Sequence, residues 1–342
     1  MTATRQTAFV QALPKIELHA HLNGSIRRST LTSLASSRHI DPSNAFILTR
    51  WPRTLSEAFD VFRMIHSCVT SLADVERLAY EVAWDMEVDG VVYAEIRTTP
   101  RGMGAGGMEE YVRAVFKGFD RYASESGKVV LKLLLSVDRA KHSASEAERI
   151  VDLAHTHPGV VGIDLSGDPT KGTFSTFLPA LLHARSLSLK TTLHAAETPH
   201  NHTEFSSMLD FHPDRFGHCC FVNTPNLTRL HQSHIPIELC LTSNILSNSV
   251  PSLEHHHFRL HYNPSAEGSV VCISTDDSGV FGSPLSNEYR LVMDGFGLGE
   301  REAFELAKRT LGATFLDKSR DGKDWHKIEA KFDAFEKSWD WN

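Results

Sequence analysis

His19 and His21 stand two residues apart at the end of the apolar stretch Lys15–His21. On a strand, that spacing puts both imidazoles on one face. Three later segments carry residues of the same kind: His194 with Glu197, then His218, then the pair Asp276 and Asp277. Imidazole nitrogens together with a hard carboxylate suit Zn²⁺, with Ni²⁺ or Fe²⁺ as alternatives. His19, His21, His194 and Asp276 are the candidate ligands for one zinc per chain. A catalytic zinc keeps a position for water and lowers its pKa to about 7. His218 and Asp277 are the candidates to hold and deprotonate that water. Glu197 follows His194 by three residues, so it can face the same cavity. A carboxyl group there can hand a proton to a ring nitrogen if burial raises its pKa.

Each of these residues has a plainer reading when taken alone. A single strand histidine is more often a hydrogen-bonded core residue than a ligand. An Asp-Asp pair is more often a solvated turn, and Glu197 by itself is an ordinary surface acid. His19 and His21 resist this, because two imidazoles at one strand end are hard to satisfy without a metal or carboxylates. Asp276 and Asp277 follow Val-Val-Cys-Ile-Ser-Thr, the pattern of a buried strand. Two other histidine groups are set aside: His255–His257 reads as an exposed helix start, and His200 with His202 as loop residues.

The elements that must position these groups are short, nearly continuous apolar runs. They are Lys15–His21, Gly90–Arg97, Val129–Val137, Val160–Leu165, Lys190–His194, Arg215–Cys219, Ile235–Leu241 and Ser269–Ser274. Continuous rather than alternating apolar character suits parallel strands covered on both sides. Between them, Ser56–Val88, Glu109–Ser124, Ser143–His155 and Phe174–Ser186 have helical periodicity, and the tail Leu285–Trp341 reads as helical. Eight strands alternating with helices predict an α/β fold, a (β/α)8 TIM barrel with extra helices, spanning 1–342 as one domain. A barrel gathers the carboxyl ends of its strands around one mouth, and the candidate residues fall at those ends. The glycine-rich stretch Arg101–Met108 lacks the ending of a phosphate loop and reads as a mobile loop. Asp41–Arg53 reads as an excursion between helices.

Composition excludes several alternatives. The 342 residues are 41% apolar and 23% charged, with a net charge of −7. A nucleic-acid polymer is a poor partner for a chain without a basic footprint. No apolar run approaches a membrane span. The N-terminus lacks the apolar region of a secretory signal. Five cysteines without a C-x-x-C pair read as reduced thiols, so the expected location is cytoplasmic. The expected form is a monomer.

Six blocks, LPKIELHAHLNGSI, GIDLSGDP, LHAAE, FGHCC, CLTSN and STDDSGVF, occur in that order. Together they resemble the adenosine and AMP deaminase family, from about Leu13 to about Leu311. The resemblance implies a zinc barrel with His19, His21, His194 and Asp276 as ligands. It implies that Glu197 donates a proton to purine N1 and that His218 orients and deprotonates the attacking water. Asp277 would hydrogen-bond that water and purine N7, and the Gly167 amide would meet N3. One departure is Ala196, where the family usually has glycine, a residue that permits close backbone approach.

Adenosine deaminases usually carry Asp two residues after the second histidine; here the residue is Asn23. With EIRTTPR after the second strand, this is similar to the adenosine deaminase-like sub-family, which implies hydrolysis of N6-methyl-AMP to IMP and methylamine. A purine nucleotide is then the small-molecule substrate. The implied contacts are His21, Asn23, His66, Thr98, Thr99, Pro100, Arg101, Asp138, Gly167 and Asp277. A 5′-monophosphate carries about two negative charges and wants several donors. Two threonine hydroxyls and the Arg101 guanidinium supply them, and Asn23 does not repel the anion as Asp would. The alternatives are an adenosine deaminase proper and a non-enzymatic nucleotide-binding barrel. The latter would be expected to have lost a ligand or the proton donor.

Overall fold

The computed structural model describes residues 3–41, 55–103, 107–263 and 270–341. Eight strands follow one another in sequence and in space: β1 Lys15–His21, β2 Val91–Thr98, β3 Val130–Asp138, β4 Val160–Ser166, β5 Lys190–Ala195, β6 Arg215–His218, β7 Ile237–Leu239 and β8 Val271–Ile273. All neighbouring pairs are parallel. Main-chain bonds from Asp276 N to His19 O (2.7 Å) and from His21 N to Asp276 O (2.8 Å) join the region after β8 to β1. The sheet thereby curls into the expected (β/α)8 barrel.

Why these residues form strands is clear from their burial. Every residue of β4 is buried, as a strand covered on both sides requires. The outer layer comes from helices such as Met108–Glu125, Ala144–Thr156 and Phe174–Ser186, close to the expected spans. Ser143 caps the second of these reciprocally with Glu146. The expected helical stretch Ser56–Val88 is two helices, Leu55–Cys68 and Leu72–Val88. Ser71 breaks it, accepting from Asp74 N (3.2 Å) while the Asp74 carboxylate accepts from Ser71 N (2.9 Å).

The tail forms helices Leu285–Phe296, Glu300–Arg309 and Gly322–Ser338. It packs on the first helix, Ala3–Ala12, where Phe9 meets Phe335, Trp339 and Trp341 edge-on. Arg5 grips both carboxylate oxygens of Glu300 at 2.8 and 2.7 Å. All five cysteines are free thiols. No helix among the described residues is long and apolar enough to cross a membrane. Most of the expected excursion Asp41–Arg53, and 104–106 of the glycine-rich stretch, lie outside the described residues.

Candidate metal centre

Donor atoms of His19, His194, His218 and Asp276 lie within 4.8 Å of one another. His21 reaches the same place: its Nε2 is 3.2 Å from His194 Nε2 and 3.3 Å from Asp276 Oδ1. Five donors from β1, β5, β6 and the end of β8 thus converge, all supplied by strand carboxyl ends. The residues proposed from sequence as ligands are together, and His218 is beside them.

The histidines are wired from behind. His19 Nδ1 is 2.7 Å from Glu238 Oε2 and His194 Nδ1 is 3.0 Å from Asp164 Oδ1. A carboxylate accepts only, so both Nδ1 atoms donate and both Nε2 lone pairs turn to the centre. His19 Nε2 is buried without a hydrogen-bond partner. Ser243 Oγ donates to Asp276 Oδ2 at 2.6 Å, leaving the other oxygen toward His19 and His21. An orphaned nitrogen, oriented lone pairs and a three-imidazole, one-carboxylate set fit a divalent cation.

Charge balance agrees. Burial and the Arg97 charge pull the His19 imidazole down, but the Asp276 and Glu238 carboxylates beside it outweigh them and raise it to about 9. The carboxylates around this ring thus favour a positive charge at the centre. Burial pushes Glu197 up to about 6, within reach of a proton donor's working range. Its Oε2 lies 3.8 Å from His218 Nε2. Burial, with the adjacent Asp276 charge, holds the Asp277 carboxyl far above the usual range. Asp277 Oδ1 is buried and unpartnered.

Backbone strain collects here. Ala196, His218, Cys219 and Asp276 all have positive φ (50°, 62°, 55° and 63°), a region L-residues rarely adopt. Gly167 has φ +98°, and a Cβ there would run into the Asp138 carboxylate. At Gly24 a Cβ would occupy the position of the Asp277 carboxylate.

A cavity of about 940 Å³, counting its open mouth, leads from this centre outward. Asn23, His66, Thr98, Thr99, Asp138, Gly167, Glu197 and Asp277 all line it, as the sequence suggested. Arg101 does not line it. Its Nη2 donates to Val69 O (2.6 Å) and its Nη1 reaches His66 O (3.5 Å), so it ties two helices' connection in place. Lys141, which sequence reasoning missed, lines the mouth and pairs with Asp138 Oδ2 at 2.7 Å. His66 is held low, near 4, by burial and by Arg101.

Also missed were Asp164, Glu238, Arg97, Asn244 and His256. The first three are charges inside apolar strands, a pattern that demands buried partners. The histidine run was misplaced. His255 is exposed, but His256 and His257 are 2% and 5% exposed and pack behind His218. Their polarity suggested solvent; their long-range partners, Asn244 Oδ1 and His218 O, make burial affordable. His202 begins the helix His202–Phe211 instead of staying in a loop.

A barrel with such a centre is a metal-dependent hydrolase architecture. The family model described as adenosine deaminase matches residues 14–330, and the chain belongs to that family. Among relatives, the N6-mAMP deaminase of Arabidopsis thaliana is 41% identical, covering 90% of this chain and 94% of that protein. The N6-methyl-AMP deaminase of Homo sapiens is 36% identical, covering 95% and 96%. The structure of Arabidopsis ADAL complexed with IMP superposes with a TM-score of 0.87 at 38% identity, covering 96% of this chain and 98% of that one.

Proposed function

We propose that this chain hydrolyses N6-methyl-AMP to IMP and methylamine, with one zinc held by His19, His21, His194 and Asp276. The observation that carries this reading is the single cavity. Its wall holds the metal centre and Glu197 together with Thr98, Thr99 and Lys141. Metal-side donors and hydroxyl and ammonium groups in one cleft suit a mononucleotide, with a base at one end and a phosphate at the other.

Bound zinc would supply a water of pKa about 7. The residues do the rest. Glu197, raised to about 6, carries a proton to purine N1, which makes C6 electrophilic. Purine N7 has only a lone pair, so a partner must donate to it. Asp277, held protonated by burial and by Asp276, is such a donor. The Gly167 amide serves N3, with glycine required by the closeness of Asp138. His218 orients the attacking oxygen. Water's oxygen ends on C6; one of its protons goes to the departing nitrogen, which leaves as methylamine, and the other restores Glu197, while N1 keeps the proton it received.

At the mouth, Asn23 Nδ2 donates to Tyr111 OH at 3.2 Å, and Tyr111 OH pairs with Thr98 Oγ1 at 2.7 Å. This keeps the phosphate end free of acid from position 23. Lys141 adds a cation there, and Asp138 and His66, which line the same cavity, are the candidates to meet the ribose. Arg101 acts on the phosphate only by releasing its two carbonyl partners.

The test is one panel of N6-methyl-AMP, AMP, adenosine and N6-methyladenosine, with zinc quantified in the same sample. N6-methyl-AMP should have the highest kcat/KM. Adenosine turned over as well as the monophosphates would favour an adenosine deaminase and overturn the reading.

A further inference from the structure

Five donors meet where a tetrahedral ion takes four. We propose that Asn244 and His256 are positioning residues that fix His218 as its Nε2–H tautomer and so keep it out of the ligand set. The inference deepens the proposed function and rests on a cation being held at this centre.

The sense of each bond follows from one donor that cannot be reversed. The Phe258 backbone N–H lies 3.0 Å from His256 Nδ1, so that nitrogen accepts. Burial, with His261 nearby, keeps His256 neutral, its pKa down at about 3. Its one proton is therefore on Nε2, which donates to Asn244 Oδ1 at 3.2 Å. The amide is thereby oriented, and Asn244 Nδ2 donates to His218 Nδ1 at 3.0 Å. Neutral His218 must carry its proton on Nε2, the nitrogen facing Glu197 and Asp276.

A nitrogen bearing hydrogen has no lone pair for a cation. His19 and His194 are wired the opposite way, with Nδ1 donating to carboxylates. The same ring chemistry therefore gives ligands on β1 and β5 and a hydrogen-bond donor on β6. His218 then donates toward the attacking oxygen and is not the group that deprotonates it. His257 completes the support from the neighbouring position, its Nε2 donating to the His218 carbonyl at 2.7 Å.

The test uses zinc-loaded enzyme labelled with ¹⁵N-histidine, the His218 signals being assigned by their loss in His218→Gln. A pyridine-type Nδ1 and a pyrrole-type Nε2 are expected. Asn244→Asp replaces the donor by an acceptor and should exchange the two signal types. It should also lower kcat by about a hundredfold, with little change in KM. His256→Leu should give a mixture of tautomers, and His256→Gln should restore the original one. A wild-type spectrum with Nδ1 protonated, or with Nε2 bound to metal, overturns the proposal. The expected tautomer in a protein that deaminates none of the four purines would instead overturn the proposed function.

Discussion

Arg97 Nη2 lies 2.7 Å from Glu238 Oε2, both residues fully enclosed within the barrel. The same oxygen accepts from His19 Nδ1, and Arg97 Nη1 reaches Asp164 Oδ1 at 3.1 Å. One guanidinium thus steadies the two carboxylates that orient His19 and His194. Arg97→Met takes from Asp164 its guanidinium partner and leaves Glu238 only that of Arg215, at a cost of about 3–5 kcal/mol. Denaturant unfolding should report that loss, and metal analysis should find weaker zinc retention by about 10–100-fold. An unfolding midpoint and zinc content equal to wild type would remove Arg97 from this role.

Glu197→Gln keeps the shape and removes the acid. Turnover should fall by about 10²–10⁴, with zinc still at one equivalent. Near-normal turnover in that variant would assign the N1 proton to another group.

Ala196 has φ +50°, where a Cβ costs roughly 1–2 kcal/mol. Glycine removes that cost but returns some freedom to the unfolded chain. Ala196→Gly should therefore stabilise by roughly 0.5–1 kcal/mol, read from thermal and denaturant midpoints. A destabilised variant would mean that the methyl group's packing outweighs the backbone strain.

Glu288 gives the clearest dependence on pH. Burial, with the Glu17 charge added, raises it from its ordinary 4.5 to about 7, although Thr242 and Ser283 donate to it. Between these values the folded state binds a proton that the unfolded state has lost. Its contribution to stability is thus complete below pH 4.5 and disappears as pH rises through 7, by up to about 3 kcal/mol. Glu288→Gln should flatten that stretch of the stability profile. Its stability at low pH should change little, because the amide oxygen can take the Thr242 N–H while the amide NH2 meets the two hydroxyls, which can accept. An unchanged slope would assign the dependence elsewhere.

The strands and their chemically armed ends were legible because parallel barrel strands are apolar throughout, so a histidine or aspartate at their close stands out. Boundaries blurred where apolar character continued past the sheet. Leu241, assigned from sequence to the seventh strand, begins the helix Leu241–Leu246. The break at Ser71 was hidden because apolar spacing runs on through it. Glu238 and Asp164 do not stand out in the same way, because they lie within the apolar runs and not at their ends. His256 was unreadable for another reason. Its burial depends on Asn244, a partner that no local pattern identifies.

The ionic web of Arg97, Arg215, Glu95, Asp164 and Glu238 draws on four different strands. If any one of those strands slipped by a single residue, its charge would swing out among the apolar helix faces, where no counter-ion waits. These salt links therefore act as a key to alignment. They tell the correct closure of eight similar ribbons from its near neighbours, a discrimination that greasy side chains, being interchangeable, would make poorly.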